Sequence, residues 1–323
     1  MGDRMDVVYF GSGAFGVPTL RALAERHTVR AVVTQPDRPA GRGRKLTPNP
    51  IAAFAAEHLP DAELIKPEKV NDPEVVARVR AFPADAWVVI AFGQKLGTAL
   101  LADRFAINLH ASLLPRWRGA APINHAILAG DTQTGNSVIT LADRMDAGLV
   151  LGRSTRDIRP DQTMGELHDE LSADGPEMML DVLERHRAGT LDPETQDESL
   201  VTLAGKLSRA DAVVDFTKPA DVCRARINGL SPWPGVAVEL GGQRVKLLRA
   251  SAEDAGPDHE QPPGTLIDAP GGLVACGSGV LRILDVHPAG GRAMGWATFA
   301  RAGRIAKGDA VRAPETVRDE GRA

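Results

Sequence analysis

The sequence predicts a two-domain α/β protein: an N-terminal open, mostly parallel sheet with flanking helices, then a smaller C-terminal β-barrel. Three observations carry this reading. Short apolar runs alternate with helix-period segments through residues 1–189, as βαβ units require. The run 85–91 (DAWVVIA) is continuously apolar, as expected of a strand buried on both faces. From Trp233 onward, brief β-rich runs are separated by Gly241-Gly242, Gly271-Gly272 and Gly277-Ser278-Gly279, the rhythm of hairpins in a small barrel. A length of 323 residues accommodates both domains, expected at 1–189 and 208–323, with the polar, aperiodic stretch 190–207 as a linker.

The elements follow in order. Residues 6–10 (DVVYF) form a strand that runs into Gly11-Ser12-Gly13, and the next helix presents Val17, Leu20, Leu23 and Ala24. A strand at 29–33, a long loop, a helix near 51–58 and a weak strand at 63–65 come next. A helix opening at Asp72-Pro73 carries the stripe Val75, Val76 and Val79. Beyond the strand at 85–91, strands are expected at 105–109, 137–142 and 149–155, and a helix over roughly 163–187. A short helix near 219–228 opens the second domain, and the tail after about Ala306 reads as weakly ordered.

Bulk properties exclude some functions. Hydrophobic content of 43% and charge of 25% are ordinary for a globular chain. A net charge of −4 is not that of a globally basic nucleic-acid binder, so such a partner must meet a local patch. Cys223 and Cys276 are far apart in sequence and lack ligand spacing, so they read as reduced thiols, and no metal is expected. The start, MGDRMDVVYF, has no long apolar segment, and no run approaches the ~18 apolar residues of a membrane span. A cytoplasmic chain without a membrane partner is expected.

Gly11-Ser12-Gly13-Ala14-Phe15-Gly16 matches the dinucleotide-binding pattern of a Rossmann-like sheet, with Asp37 roughly 20 residues further on. The plainer reading is a tight strand-to-helix turn that binds no nucleotide. Asp37 sits in Gln35-Pro36-Asp37-Arg38-Pro39, a proline-broken loop and not a clean strand end, which favours the plainer reading and no nicotinamide cofactor.

The chemistry concentrates later. The strand 105–109 delivers Asn108 and His110 two positions apart, and residues i and i+2 of a strand share a face. A lone histidine there could be structural, but a neighbouring amide makes a pair able to polarise a carbonyl from two directions. Asp146, in the loop Asp143–Gly148 after strand 137–142, lies at another strand end, where open α/β sheets bind ligands. Asn108 and protonated His110 could each donate to a developing oxyanion, while Asp146 balances the imidazolium and takes a proton from an attacking amine. No serine or cysteine occupies a nucleophile elbow, so direct transfer is the economical route.

The run Asn108-x-His110-x-Ser112-Leu113-Leu114-Pro115-x-x-Arg118-Gly119-x-x-Pro122-Ile123 resembles the signature of the folate-dependent formyltransferases. The likeness extends to TQPDRPAGRGRKLTPNP (34–50), QDESLVTLAGKLS (196–208) and NGLSPWPG (228–235), nearly the full chain. It implies transfer of a formyl group from 10-formyltetrahydrofolate to the α-amino group of initiator methionyl-tRNA, in translation initiation. The family's trio falls on Asn108, His110 and Asp146. The implied folate pocket includes Phe92, Gly93, Ser112, Leu113, Leu114 and Pro115. The implied acceptor-stem contacts are Arg38, Arg42, Arg44 and Lys45, in a loop whose basic bias suits phosphate. The C-terminal part would be an OB-like barrel adding backbone contacts, and a monomer is expected. One departure stands out: after Leu149 the family commonly has Asp-Thr-Gly-Asp, where this chain has Val150-Leu151-Gly152-Arg153.

Three other functions use parts of the same sequence. A formyltransferase for a small amine would share the trio but need neither the basic loop nor the barrel. A nicotinamide oxidoreductase rests on Gly11–Gly16 alone, and a non-enzymatic RNA binder leaves Asn108 and His110 unexplained.

Overall fold

The computed structural model describes residues 4–40, 43, 45–253, 260–302 and 305–314, so Arg42 and Arg44 lie outside the described residues. The strands, in order, are β1 (Asp6–Gly11), β2 (Thr28–Val33), β3 (Arg38–Ala40), β4 (Lys45–Thr47), β5 (Glu63–Ile65), β6 (Ala86–Ile90), β7 (Ala106–His110), β8 (Arg118–Gly119), β9 (Gln133–Thr140) and β10 (Val150–Asp157). The helices among them are α1 (Val17–Arg26), α2 (Pro50–His58), α3 (Pro73–Arg80), α4 (Thr98–Leu101) and α5 (Pro122–Leu128), and α6 (Met164–Ala188) follows β10. Pro50, Pro73 and Pro122 each open a helix, where the missing N–H costs nothing.

By contact density the described residues form two compact units, one from 1–118, 135–156 and 168–202, the other from 119–134, 157–167 and 203 onward. The first unit holds a seven-stranded sheet in the order β10-β9-β7-β6-β1-β2-β5. β5, β2, β1, β6 and β7 run parallel, and β9 is antiparallel to β7. Every side chain of β6 is buried, and Phe10 packs on Trp87 and Phe92 with ring centroids 5.2 and 5.7 Å apart. The strand order reverses between β1 and β6, so their carboxyl ends bracket the crevice where such sheets place ligands.

The turn Gly11–Gly16 has packing reasons. A Cβ on Gly16 would fall 2.1 Å from the Tyr9 hydroxyl, which donates to the Gly16 carbonyl at 3.1 Å. Asp37 pairs with Lys66 at 2.6 Å.

Two expectations for this unit need correcting. The stretch expected as a long loop contains an antiparallel ribbon, β3 with β4, pairing Arg38 with Thr47 and Ala40 with Lys45. The strands expected at 149–155 and 137–142 run instead over Val150–Asp157 and Gln133–Thr140.

The second unit contains β11 (Leu203–Ala204), α7 (Ala220–Gly229), β12 (Val236–Leu240), β13 (Gln243–Glu253), β14 (Leu266–Asp268), β15 (Leu273–Ala275), β16 (Val280–Pro288), β17 (Met294–Gly295) and α8 (Trp296–Ala300). Its antiparallel sheet runs β12-β13-β16-β15-β14, with β17 added to β16. The tail, expected to be weakly ordered, links the two ends of that path. Glu239 of β12 exchanges both backbone hydrogen bonds with Arg312, at 2.7 and 3.1 Å. Leu266 of β14 bonds Asp309 and Gly308, at 2.8 Å each. Backbone pairing, not an apolar pattern, orders these residues, which is why composition hid it. The two cysteines also come together: Cys223 and Cys276 both lie in this unit's core, and the Cys276 contact with burial pushes the Cys223 thiol up.

Among the described residues, no helix is long and apolar enough to cross a membrane.

Candidate active site

β7 sets the geometry. It pairs Val89 of β6 with Asn108, and on its other side Asn108 with Ile139 and His110 with Ser137 of β9. Asn108 is half-buried, and its carboxamide has no hydrogen-bond partner among the described residues. His110 is buried at 6% exposure, and each of its ring nitrogens faces an oxygen. Nε2 lies 2.9 Å from the Trp117 carbonyl, which accepts its proton. Nδ1 faces the Asp146 carboxylate at 3.7 Å, beyond hydrogen-bond length but within ion-pair range.

The Asp146 loop is shaped by its surroundings. Asp146 itself has φ 54°, an uncommon conformation for a residue with a side chain. Gly148 is required because a Cβ there would sit 1.7 Å from the Thr140 carbonyl, and Leu149 N–H donates to Thr140 Oγ1 at 2.9 Å. The loop and β9 are thereby pressed together, bringing Asp146 back over the end of β7.

The segment Ser112–Pro115 turns its polar groups inward. Ser112 is fully buried, and its hydroxyl donates to the Arg116 carbonyl at 2.7 Å. Ser137 Oγ donates to the Ser112 carbonyl at 2.7 Å and accepts from Leu114 N–H at 3.1 Å. Leu114 packs with Ile139 and Val150. The polar groups of Ser112 and the Leu114 N–H are thereby bonded within the protein. At the switch point, the Phe92 side chain is core, and its carbonyl accepts from Ser12 Oγ (3.2 Å) and Gln35 Nε2 (3.0 Å). Gly93 follows at φ 85° and is exposed.

The departure at 150–153 is absorbed by β10. Arg153 is paired with Glu194 through two bonds of 2.5 and 3.0 Å, and its Nε reaches the Leu114 carbonyl at 3.3 Å. The base at the rim is therefore neutralised.

A sequence profile for the family described as "Formyl transferase" matches residues 4–183, more than half of the chain. The chain belongs to the formyltransferase family. A second profile, "Formyl transferase, C-terminal domain", covers residues 206–304. A curated relative, the methionyl-tRNA formyltransferase of Methylococcus capsulatus, is 44% identical over 94% of this chain and 98% of its own length. Among solved structures, the sugar 3N-formyl transferase WlaRD has a TM-score of 0.65 at 11% identity, covering 87% of this chain and 98% of that one. HypX from Aquifex aeolicus, solved with tetrahydrofolic acid, has a TM-score of 0.62 at 16% identity, covering 92% of this chain. This chain spans about half of HypX, 47% of its length. Both structures share the fold, and this formyltransferase has the enzyme's domain set.

Around Asn108, His110 and Asp146 of this formyltransferase stand supporting residues; only Arg118 among them belongs to the signature run, which assigns it no role. Trp117, at φ 63°, aims its carbonyl at His110, and its N–H donates to Thr202 Oγ1 at 2.9 Å. Arg118, 5% exposed, bonds Gln196 Oε1 at 2.9 Å and Glu198 at 2.9 Å. Arg118 first, then Arg144, hold the Glu198 carboxyl below the usual carboxylate range. The stretch 190–202, expected as a mere linker, packs on the site through polar contacts. Its sequence shows no apolar period because backbone and side-chain hydrogen bonds hold it.

Of the predicted basic residues, Arg38 and Lys45 lie on the β3–β4 ribbon, while Arg42 and Arg44 lie outside the described residues.

Proposed function

We propose that this formyltransferase uses 10-formyltetrahydrofolate to formylate the α-amino group of methionyl-initiator tRNA by direct amine attack, in the cytoplasm and as a monomer. The observation that carries the chemistry is an Asn108 amide without a hydrogen-bond partner among the described residues, two positions along β7 from a His110 ring whose Nε2 is committed to Trp117 and whose Nδ1 faces Asp146 at 3.7 Å.

The folate supplies a formyl carbon on a nitrogen leaving group; the amine nitrogen bonds to that carbon, and the carbon–nitrogen bond to the folate breaks. Negative charge develops on the formyl oxygen, and this chain's residues act there. Asn108 donates one N–H to that oxygen. His110 donates a second, charge-assisted bond from Nδ1, since Trp117 already holds the Nε2 proton. Asp146 balances the imidazolium and accepts the amine proton, directly or through a water, and the departing folate nitrogen takes up a proton as its bond to carbon breaks. The α-amine is a ready nucleophile near neutrality, titrating at about 7.7–8.0 in general, so orientation is the enzyme's main contribution.

Ser112–Pro115, with Phe92 and Gly93 at the switch point, would bound the folate pocket as a preformed wall. Acceptor choice rests on the likeness to methionyl-tRNA formyltransferases over 94% of the chain and on the basic bias of the sequence segment 34–50, where Arg38, Arg42, Arg44 and Lys45 would meet acceptor-stem phosphates. Residues from 208 onward would add tRNA backbone contacts, joined through 190–207.

The deciding experiment offers 10-formyltetrahydrofolate with initiator methionyl-tRNA, elongator methionyl-tRNA or a free amino-sugar nucleotide. The reading expects preferred formylation of the initiator. Equal turnover on the amino sugar would overturn the tRNA assignment and favour the small-amine alternative.

A further inference from the structure

The Asp146 loop is not held by apolar packing. Met145 and Leu149 on either side of Asp146 are 68% and 40% exposed. A positive-φ residue persists only where its surroundings over-determine it, so polar ties must do this. Leu149 N–H donates to Thr140 Oγ1 at 2.9 Å, Lys95 donates to the Asp143 carbonyl at 3.0 Å, and Arg144 pairs with Glu198 at 2.9 Å, but all three are exposed contacts. Exposed pairs of this kind hold geometry weakly. The Gln196 tie is different: the residue is 5% exposed, and its Nε2 donates to the Asp146 and Gly148 carbonyls, 2.8 Å each. Its Oε1 accepts from Arg118 Nε at 2.9 Å. Arg118 N–H in turn donates to the Thr202 carbonyl at 2.9 Å, next to the Trp117 that fixes His110.

One carboxamide thus touches both halves of the site: its nitrogen end grips the Asp146 backbone, and its oxygen end grips the residue after Trp117. We propose that Gln196 is a positioning residue that fixes the spacing between the Asp146 carboxylate and the His110 ring. This rests on the function proposed above, in which those two groups act on the same reacting centre. Glutamine suits the task because it offers a donor and an acceptor at one side-chain end. Glutamate in its place would still accept from Arg118 but would meet the two carbonyls with a negative oxygen. Methionine would fill the volume and make neither contact.

The test compares Gln196→Glu and Gln196→Met in formyl-transfer assays with both substrates. Each variant is expected to lower kcat about 10- to 100-fold, the scale of a small misplacement of reacting groups, with both KM values within about twofold. Amide exchange at residues 146–149 should quicken in Gln196→Glu and stay unchanged in Glu198→Gln. Because the effect passes through Asp146, adding Gln196→Glu to Asp146→Asn should cost no further activity. A Gln196→Glu enzyme with kcat within about twofold of wild type overturns the proposal. So does an equal further loss in the Asp146→Asn background. Asp146→Asn on its own separates the two claims: an unchanged rate there overturns the role of Asp146, whereas loop exchange still reads whether Gln196 holds the loop.

Discussion

Replacing Asn108 by alanine should separate catalysis from stability cleanly. The Asn108 carboxamide has no hydrogen-bond partner among the described residues and is only half-buried, so its removal orphans no group among them. The remaining cost is the lower strand preference of alanine, a scale that spans about 1 kcal/mol. A change of that size moves Tm by roughly 2–4 °C at most in a chain of this class. The catalytic loss is of a different order. An oxyanion donor that acts only as charge develops is worth about 100- to 1,000-fold in kcat, or ~2.7–4 kcal/mol of barrier. Both KM values should stay near wild type, because the bond strengthens in the transition state and not in the ground state. The assay is a single-turnover rate of formyl transfer to methionyl-tRNA, with a thermal melt on the same preparation. An Asn108→Ala enzyme retaining a third or more of the wild-type rate would refute the reasoning, as would a rate loss explained by unfolding.

Three further outcomes follow from the same contacts. Asn228 is fully buried and exchanges two 2.9 Å bonds with the backbone of Ala250, so Asn228→Ala should destabilise the second unit by about 2–5 kcal/mol; an unchanged urea midpoint contradicts this. For Glu166, burial alone would raise the carboxyl, but the Thr163 N–H, the Arg249 guanidinium and the Thr163 hydroxyl together hold it below its ordinary value of 4.5. A depressed carboxylate stabilises the fold above the unfolded pKa and loses that as pH falls, so stability should drop below about pH 4.5 and Glu166→Gln should flatten the drop in acid titrations followed by circular dichroism. Arg42→Ala should weaken tRNA binding, lower the slope of log affinity against log salt by about 1 and leave the folate KM unchanged; an unchanged slope would count against phosphate contact.

The sequence disclosed those features whose signal is local. Continuous burial of 86–90 showed as an unbroken apolar run, and Thr163 with Glu166 closes a capping box where the long helix was expected to begin. Asn108 and His110 were visible because strand alternation puts them on one face. Features built from backbone geometry were not visible. The β3–β4 ribbon has three-residue strands with Pro39 in one of them, too short for alternation to register. Trp117 reaches His110 through a carbonyl, which any residue type could supply. Gln196 lies in a polar stretch whose contacts carry no hydrophobic period, so it read as connection and not as scaffold. Gly16 matched a nucleotide fingerprint although its immediate neighbour is Tyr9, because a motif records where a side chain is forbidden and not what forbids it.

His110 is expected to take part in formyl transfer and not in holding the tRNA. The direct measurement is formyl transfer from 10-formyltetrahydrofolate to initiator methionyl-tRNA by His110→Ala, with tRNA affinity measured on the same protein. Transfer should be lost with affinity within about twofold of wild type, since losing a catalytic donor does not remove phosphate contacts. Preserved turnover, or a loss matched by an equal fall in tRNA affinity, would contradict it.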